Sequence, residues 1–157
     1  MTAVVPTLEF AFRLTTQMGQ RMKFGTLPNG GSRRGFTATT GGKVEGPMLN
    51  GIVLPNSGGD YPIFDHDDNA FFDARYILQA DDGTPIYMQL FGMRIGTPEV
   101  NKRLRANEVV PMTDYYFRTN PRFEVPKGPY DWMSRSIFIG SADRREDYST
   151  FDIYKVL

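Results

Sequence analysis

Asp60 and Tyr61 follow the pair Gly58-Gly59, which sets a carboxylate beside a phenol where the backbone can come close to other groups. In a partly dry pocket such a carboxyl has a raised pKa and can act as a general acid or base. In a turn it would instead bond its own backbone. Tyr116 and Arg118 alternate onto one face of a short extended segment. If that face lines an interior, Arg118 can hold a carboxylate or enolate oxygen with its fork of donors, and Tyr116 can donate a phenol proton to the same oxygen. The competing role for Arg118 is a salt bridge to Asp73 or Glu124. Asp73 and Arg75 share a strand face; an ion pair crossing to another strand is the plainer reading, and a ligand contact by Arg75 is the alternative. Trp132, the only tryptophan, follows Tyr130-Asp131 and either stacks on a planar ligand or closes the bottom of a core.

His66 is the only histidine and stands among Asp65, Asp67 and Asp68. A single histidine excludes a multi-histidine metal centre. Asp65-x-Asp67-x-Asn69 has the start of a calcium loop, but Ala70 occupies the glycine position and Tyr76 the position of the bidentate Glu. A solvated acidic loop is the better reading, with His66 as a mobile base near Asp60 the alternative. Neither nucleotide-binding glycine motif is present, and there is no Gly-x-Ser-x-Gly elbow. Asp60, Arg118 and Tyr116 are therefore the candidate catalytic set. Tyr61, Arg75, Trp132 and His66 are the candidate substrate contacts, and no metal site is expected.

These residues need strands to position them. Leu8, Phe10, Phe12 and Leu14 alternate with polar residues, as in a half-buried strand. Pro28-Asn29-Gly30-Gly31 marks a turn. From Thr39 to Tyr61, six glycines and two prolines separate short apolar runs, a pattern of bulged or sharply bent strands; one wall of a pocket is expected there. Phe72, Ala74, Tyr76 and Leu78 form the apolar face of a strand, and Asp82-Gly83 turns it into a hairpin returning over Pro85 to Gly92. Thr97-Pro98-Glu99 starts a helix expected to reach Asn107. Extended pieces follow at Tyr115–Thr119, Phe123–Val125, Ser134–Ile139 and Phe151–Val156, the last two joined by a charged loop from Asp143 to Asp147.

Length and composition agree with such a frame. The 157 residues correspond to one domain. Sixteen Gly, eleven Pro, twelve Phe and eight Tyr lean towards an all-β barrel or sandwich. With no cysteine, disulfides, thiolate metal sites and cysteine nucleophiles are excluded, which fits a cytoplasmic protein. Lys+Arg and Asp+Glu both number 18, so the basic excess of a nucleic-acid binder is missing. No apolar run approaches a membrane span, and no signal peptide is expected. Roughly eight to ten strands joined by short turns suit a single antiparallel closed barrel, which can enclose a small molecule; a sandwich is the alternative.

Six motifs in order carry a resemblance: Gly41-Gly42 through Gly46-Pro47 to Gly51, Gly58-Gly59-Asp60-Tyr61, Asp73-Ala74-Arg75-Tyr76, Asp81-Asp82-Gly83, Tyr116-Phe117-Arg118-Thr119 with Phe123, and Tyr130-Asp131-Trp132-Met133. Over about Leu8 to Tyr154 the chain resembles the DUF3237 (UPF0311) family. The resemblance implies a lipocalin-like β-barrel and an association with small aromatic or polyketide metabolites. It implies a cofactor-independent lyase, isomerase or cyclase. The chain departs from the family pattern at Tyr61, where Trp is expected, at Met133-Ser134, where Leu-Asn is expected, and in the loop from Pro62 to Asn69. The reading is an all-β, lipocalin-like antiparallel barrel over residues 1–157 with one short helix, binding a small-molecule ligand and needing no cofactor. A non-catalytic carrier and an interaction module using Tyr61 or Phe64 compete with it. Assembly as a homodimer is compatible with such a barrel.

Overall fold

Inward and outward residues alternate along the strand that begins the central hairpin, and this alternation organises the fold. In the computed structural model, which describes residues 3–28 and 30–157, Ala70, Ala74, Tyr76, Leu78 and Ala80 are buried while their neighbours are at least partly exposed. The strands are β1 (Leu8–Thr26), β2 (Arg33–Glu45), β3 (Gly51–Val53), β4 (Gly59–Asp60), β5 (Ile63–Phe64), β6 (Ala70–Ala80), β7 (Pro85–Ile95), β8 (Tyr116–Glu124), β9 (Phe138–Arg144) and β10 (Tyr148–Val156). One α-helix, α1 (Pro98–Arg105), lies between β7 and β8.

The strands pair antiparallel in the order β1-β10-β9-β8-β7-β6-β3-β2, and a β1–β2 pairing joins the two ends. Short β3, β4 and β5 succeed one another in a single position between β2 and β6. The result is a closed, barrel-like ring of eight strand positions. Closure removes the free edges of the sheet and turns one face of every strand towards a common interior.

The core sits at one end of that interior. Phe12, Leu14, Leu78, Ile86, Met88, Phe138 and Ile153 are all fully buried there. Phe12 and Phe138 both meet Phe123 edge-on, with ring centroids 6.0 and 5.0 Å away. Burying side chains of this size is the main source of the fold's stability.

Several elements differ from the expectation. Leu8 and Phe10 were expected to share a face with Phe12 and Leu14, but the register shifts between Phe10 and Phe12, so that Ala11 is an extra, buried residue. This bulge leaves Leu8 and Phe10 52% and 38% exposed. β1 also runs well past Thr15, and its outer half pairs with β2 as a long hairpin. Leu27 N–H donates to the Ser32 carbonyl at 2.8 Å across the turn; the predicted turn residue Asn29 lies outside the described residues. The two pieces expected at Tyr115–Thr119 and Phe123–Val125 are one strand, β8. Residues Asp131–Arg135 form a 3-10 turn, so β9 begins only at Phe138. The charged loop shrinks to a turn, because Asp143 and Arg144 belong to β9.

The hairpin and the helix follow the expectation. β6 and β7 pair from Ala70↔Arg94 to Gln79↔Pro85, turning at Asp82-Gly83. The helix starts at Pro98, with Val100 N–H donating to the Thr97 side chain at 3.3 Å. It ends at Arg105 rather than Asn107, which has a positive φ of 60°.

Candidate functional site

The end of the ring opposite the aromatic core is hollow. A cavity of about 490 Å³ lies between β1, β2, β4, β6, β7 and α1, within the range of small-molecule sites. Its apolar wall includes Phe72, Leu90, Phe117 and Phe151. Phe72 stacks on Phe117, with ring centroids 4.9 Å apart and 24° between planes. The overhanging β1–β2 hairpin supplies part of the rim, with Met22 and Phe24 51% and 46% exposed.

Asp60 reaches this cavity because of the glycines before it. A Cβ at Gly58 would lie 1.9 Å from the Arg75 carbonyl oxygen, and one at Gly59 would lie 2.6 Å from the Phe36 ring. Only glycine lets β4 press between β2 and β6 here. Asp60 is then paired with Thr37 on one side and Ala74 on the other, and all three line the cavity. The Asp60 carboxylate accepts a hydrogen bond from the Asp73 backbone N–H at 3.2 Å. Burial, countered in part by that bond, pushes its pKa from 3.8 up to about 7.

Tyr76 follows two residues after Ala74 on the inward face of β6 and is 6% exposed. Burial, helped by the nearby Asp60 charge, raises its pKa far above the ordinary phenol value. It therefore stays protonated and can donate from within the cavity wall. At the helix end of the cavity stands Arg94, 6% exposed, opposite Ala70 and Phe117 in the ladders of β7. Burial lowers its pKa to about 10, with Arg144 adding repulsion. It remains a cation at neutral pH.

The other predicted residues are elsewhere. Tyr116 and Arg118 do share a face, but it is the outer one, because Phe117 and Thr119 take the interior positions of β8. The Arg118 guanidinium lies 5.1 Å from the Tyr116 ring centroid, and it donates to the Phe117 carbonyl at 2.9 Å. An oxyanion-holding role inside the ring is therefore replaced by an exterior cation–π contact. Arg75 also points outward. It pairs with Asp73 on its own strand at 2.6 Å rather than crossing to another strand. Tyr61, one residue after Asp60, faces the opposite side and packs on Phe36 with centroids 4.8 Å apart. Trp132 lies on the 3-10 turn against Phe138, with the Lys155 ammonium 5.4 Å from its ring, away from the cavity. His66 is 83% exposed beside Asp67, outside the cavity lining. From that loop it is Asp68 that reaches the rim, where it pairs with both Arg33 and Arg105.

Tyr76 and Arg94 are thus the cavity residues that the candidate set lacked. Both carry a signal in the pattern of the hairpin. Tyr76 falls in step with Phe72, Ala74 and Leu78, and Arg94 falls in step with the inward residues Ile86, Met88 and Leu90. A polar residue in step with an inward apolar row is the mark of a buried functional group.

The family model described as "Protein of unknown function (DUF3237)" matches residues 6–156. The chain belongs to the DUF3237 family. A UPF0311 protein from Rhodopseudomonas palustris strain TIE-1 is 35% identical over 156 residues, covering 98% of this chain and all of that one. The crystal structure of a β-barrel-like protein from Acinetobacter baumannii superposes with a TM-score of 0.86 at 32% identity, over 99% of each chain. A more distant likeness, TM-score 0.70 at 17% identity over 100% of this chain and 98% of the other, is to a structure described as an enzyme from Penicillium herquei. That last comparison speaks to the fold alone. Within this DUF3237 chain, no group of three or more His, Cys, Asp or Glu is arranged to hold a metal ion among the described residues. No helix of the described residues is long and apolar enough to cross a membrane.

Proposed function

We propose that this DUF3237 protein is an enzyme that binds a small, partly aromatic metabolite in the cavity and transfers a proton with its own side chains. The observation that carries the reading is Asp60: a carboxyl aimed into a cavity of about 490 Å³ with its pKa raised to about 7. Such a group is divided between base and acid near neutrality, which suits proton transfer. As the carboxylate it takes a proton from a carbon adjacent to a carbonyl. The negative charge then develops on the carbonyl oxygen. The protonated Tyr76 phenol is the donor that would stabilise this charge. Return of the proton from Asp60 to another atom completes an isomerisation. Expulsion of a leaving group that takes the proton from Asp60 gives an elimination, and attack of the enolate carbon on an internal carbonyl, whose oxygen takes that proton, gives a cyclisation. The stacked Phe72 and Phe117 rings offer a flat apolar wall for an aromatic body.

The test is a panel of cyclic and aromatic keto and enol compounds, screened by thermal shift and calorimetry against wild type and Asp60→Asn. Bound compounds are then followed for product by absorbance and mass. Conversion by wild type, with binding but no conversion by Asp60→Asn, is expected. Equal binding by both proteins without product would replace this reading with that of a carrier.

A further inference from the structure

We propose that the ligand of this cavity is an anion, an aromatic carboxylate whose carboxylate group is held by Arg94; the inference rests on the cavity's being the ligand site described above. Arg94 is a buried cation without a counter-ion among the described residues. Its Nε is buried and has no hydrogen-bond partner among the described residues, and no carboxylate there lies within ion-pair distance of its guanidinium. A guanidinium taken out of water needs a charge partner and filled hydrogen bonds, and planar bidentate pairing with a carboxylate supplies both.

The surroundings sharpen this. Seven Arg and Lys side chains line the cavity against two Asp, although the chain as a whole has zero formal charge. Of the two acids, Asp68 is already shared by Arg33 and Arg105, and Asp60 is partly protonated near neutrality. Arg144 offers no relief: it donates to the Leu104 carbonyl at 2.6 Å and to Asn107 at 3.0 Å, and it repels Arg94. This basic lining, in which only Arg94 is buried, therefore draws anions towards the cavity.

Position sets the rest of the ligand's shape. Arg94 is opposite Ala70 on β6, while Asp60 is opposite Ala74. Four residues of strand separate the two levels, about 13 Å before side-chain reach is subtracted. Phe72 lies between those levels, and its partner in stacking, Phe117, is opposite Arg94. A flat body of about two rings, with its carboxylate at Arg94 and its reactive end at Asp60, spans the site.

The test uses matched probes: 2-naphthoate with 2-naphthamide, and biphenyl-4-carboxylate with its amide, titrated by calorimetry at neutral pH. Wild type is expected to prefer each acid by about tenfold or more. Arg94→Met is expected to abolish the preference while keeping the amide affinity. If Arg94→Met does not fold, Arg94→Lys replaces it and is expected to reduce the preference, because an ammonium cannot form the planar pair. Equal binding of acid and amide by wild type, no binding of either acid up to about 1 mM, or a preference unchanged by the Arg94 variants would overturn the inference. The proton-transfer reading fails separately. Acid preference retained in Asp60→Asn, with no compound converted by wild type, leaves an anion carrier. Conversion of neutral compounds without acid preference leaves the enzyme and removes the anion.

Discussion

The Asp60 carboxylate accepts the Asp73 backbone N–H at 3.2 Å, and backbone hydrogen bonding of this kind does not outweigh the burial of the same group. The carboxyl titrates near 7 instead of 3.8 as a result. The raised folded-state pKa favours the neutral form. Its contribution to stability is complete below about pH 4 and is lost progressively as pH rises through about 7. Asp60→Asn removes that loss. The variant is expected to be more stable than wild type at pH 8 by about 1–3 kcal/mol, with no corresponding difference at pH 4. Urea unfolding at the two pH values checks this, and an equal difference at both would assign the effect to something other than ionisation.

In catalysis the same group is expected to act first as a base. For a substrate that does not itself titrate in the range, kcat/KM should rise with pH through about 7. Asp60→Asn should lower it by about 10²–10⁴-fold and remove that limb. A wild-type profile flat from pH 5 to 9 would exclude Asp60 as the base.

Tyr76 is held protonated by burial beside Asp60. Tyr76→Phe keeps the ring in its apolar row and deletes only the donor. It is expected to lower kcat by about 10–100-fold with little change in substrate affinity, the signature of a contact made in the transition state. Steady-state kinetics with a folded, thermally intact variant separates this from a loss of structure.

Tyr116 and Arg118 touch each other on the outside of the ring, with 5.1 Å between guanidinium and ring centroid. Tyr116→Ala and Arg118→Ala are therefore expected to leave turnover and ligand binding unchanged and to cost about 1 kcal/mol or less in stability. A hundredfold loss of activity in either folded variant would contradict the placement of the site inside the ring.

Gly58 sits where a Cβ would fall 1.9 Å from the Arg75 carbonyl oxygen. Gly58→Ala must push β4 away from β6, and Asp60 moves with it. A loss of about 2–4 kcal/mol in chemical denaturation is expected, together with a lowered Asp60 pKa as water reaches the carboxyl. NMR titration of that carboxyl checks the second part.

The sequence by itself determined the all-β class, the β6–β7 hairpin, the start of the helix and the wall containing Asp60. Period-two alternation, Asp82-Gly83 and the Thr97-Pro98 cap are local signals, and they act over a few residues whatever the rest of the chain does. Glycines around Asp60 were legible for a similar reason, since close approach of backbones leaves few residues other than glycine. Which face of a strand meets the interior is a different kind of fact. Tyr116 and Arg118 alternate with Phe117 and Thr119, and both rows are regular. Only the packing of Phe117 against Phe72 and Phe151 decided that the charged row faces out. The Ala11 bulge likewise turned Leu8 and Phe10 outward without any change in their spacing. Arg94 and Tyr76 came to share a cavity with Asp60 only when ring closure directed β2, β4, β6 and β7 at one interior. Burial sets the cost of charge, and burial belongs to the assembled fold rather than to any segment of it.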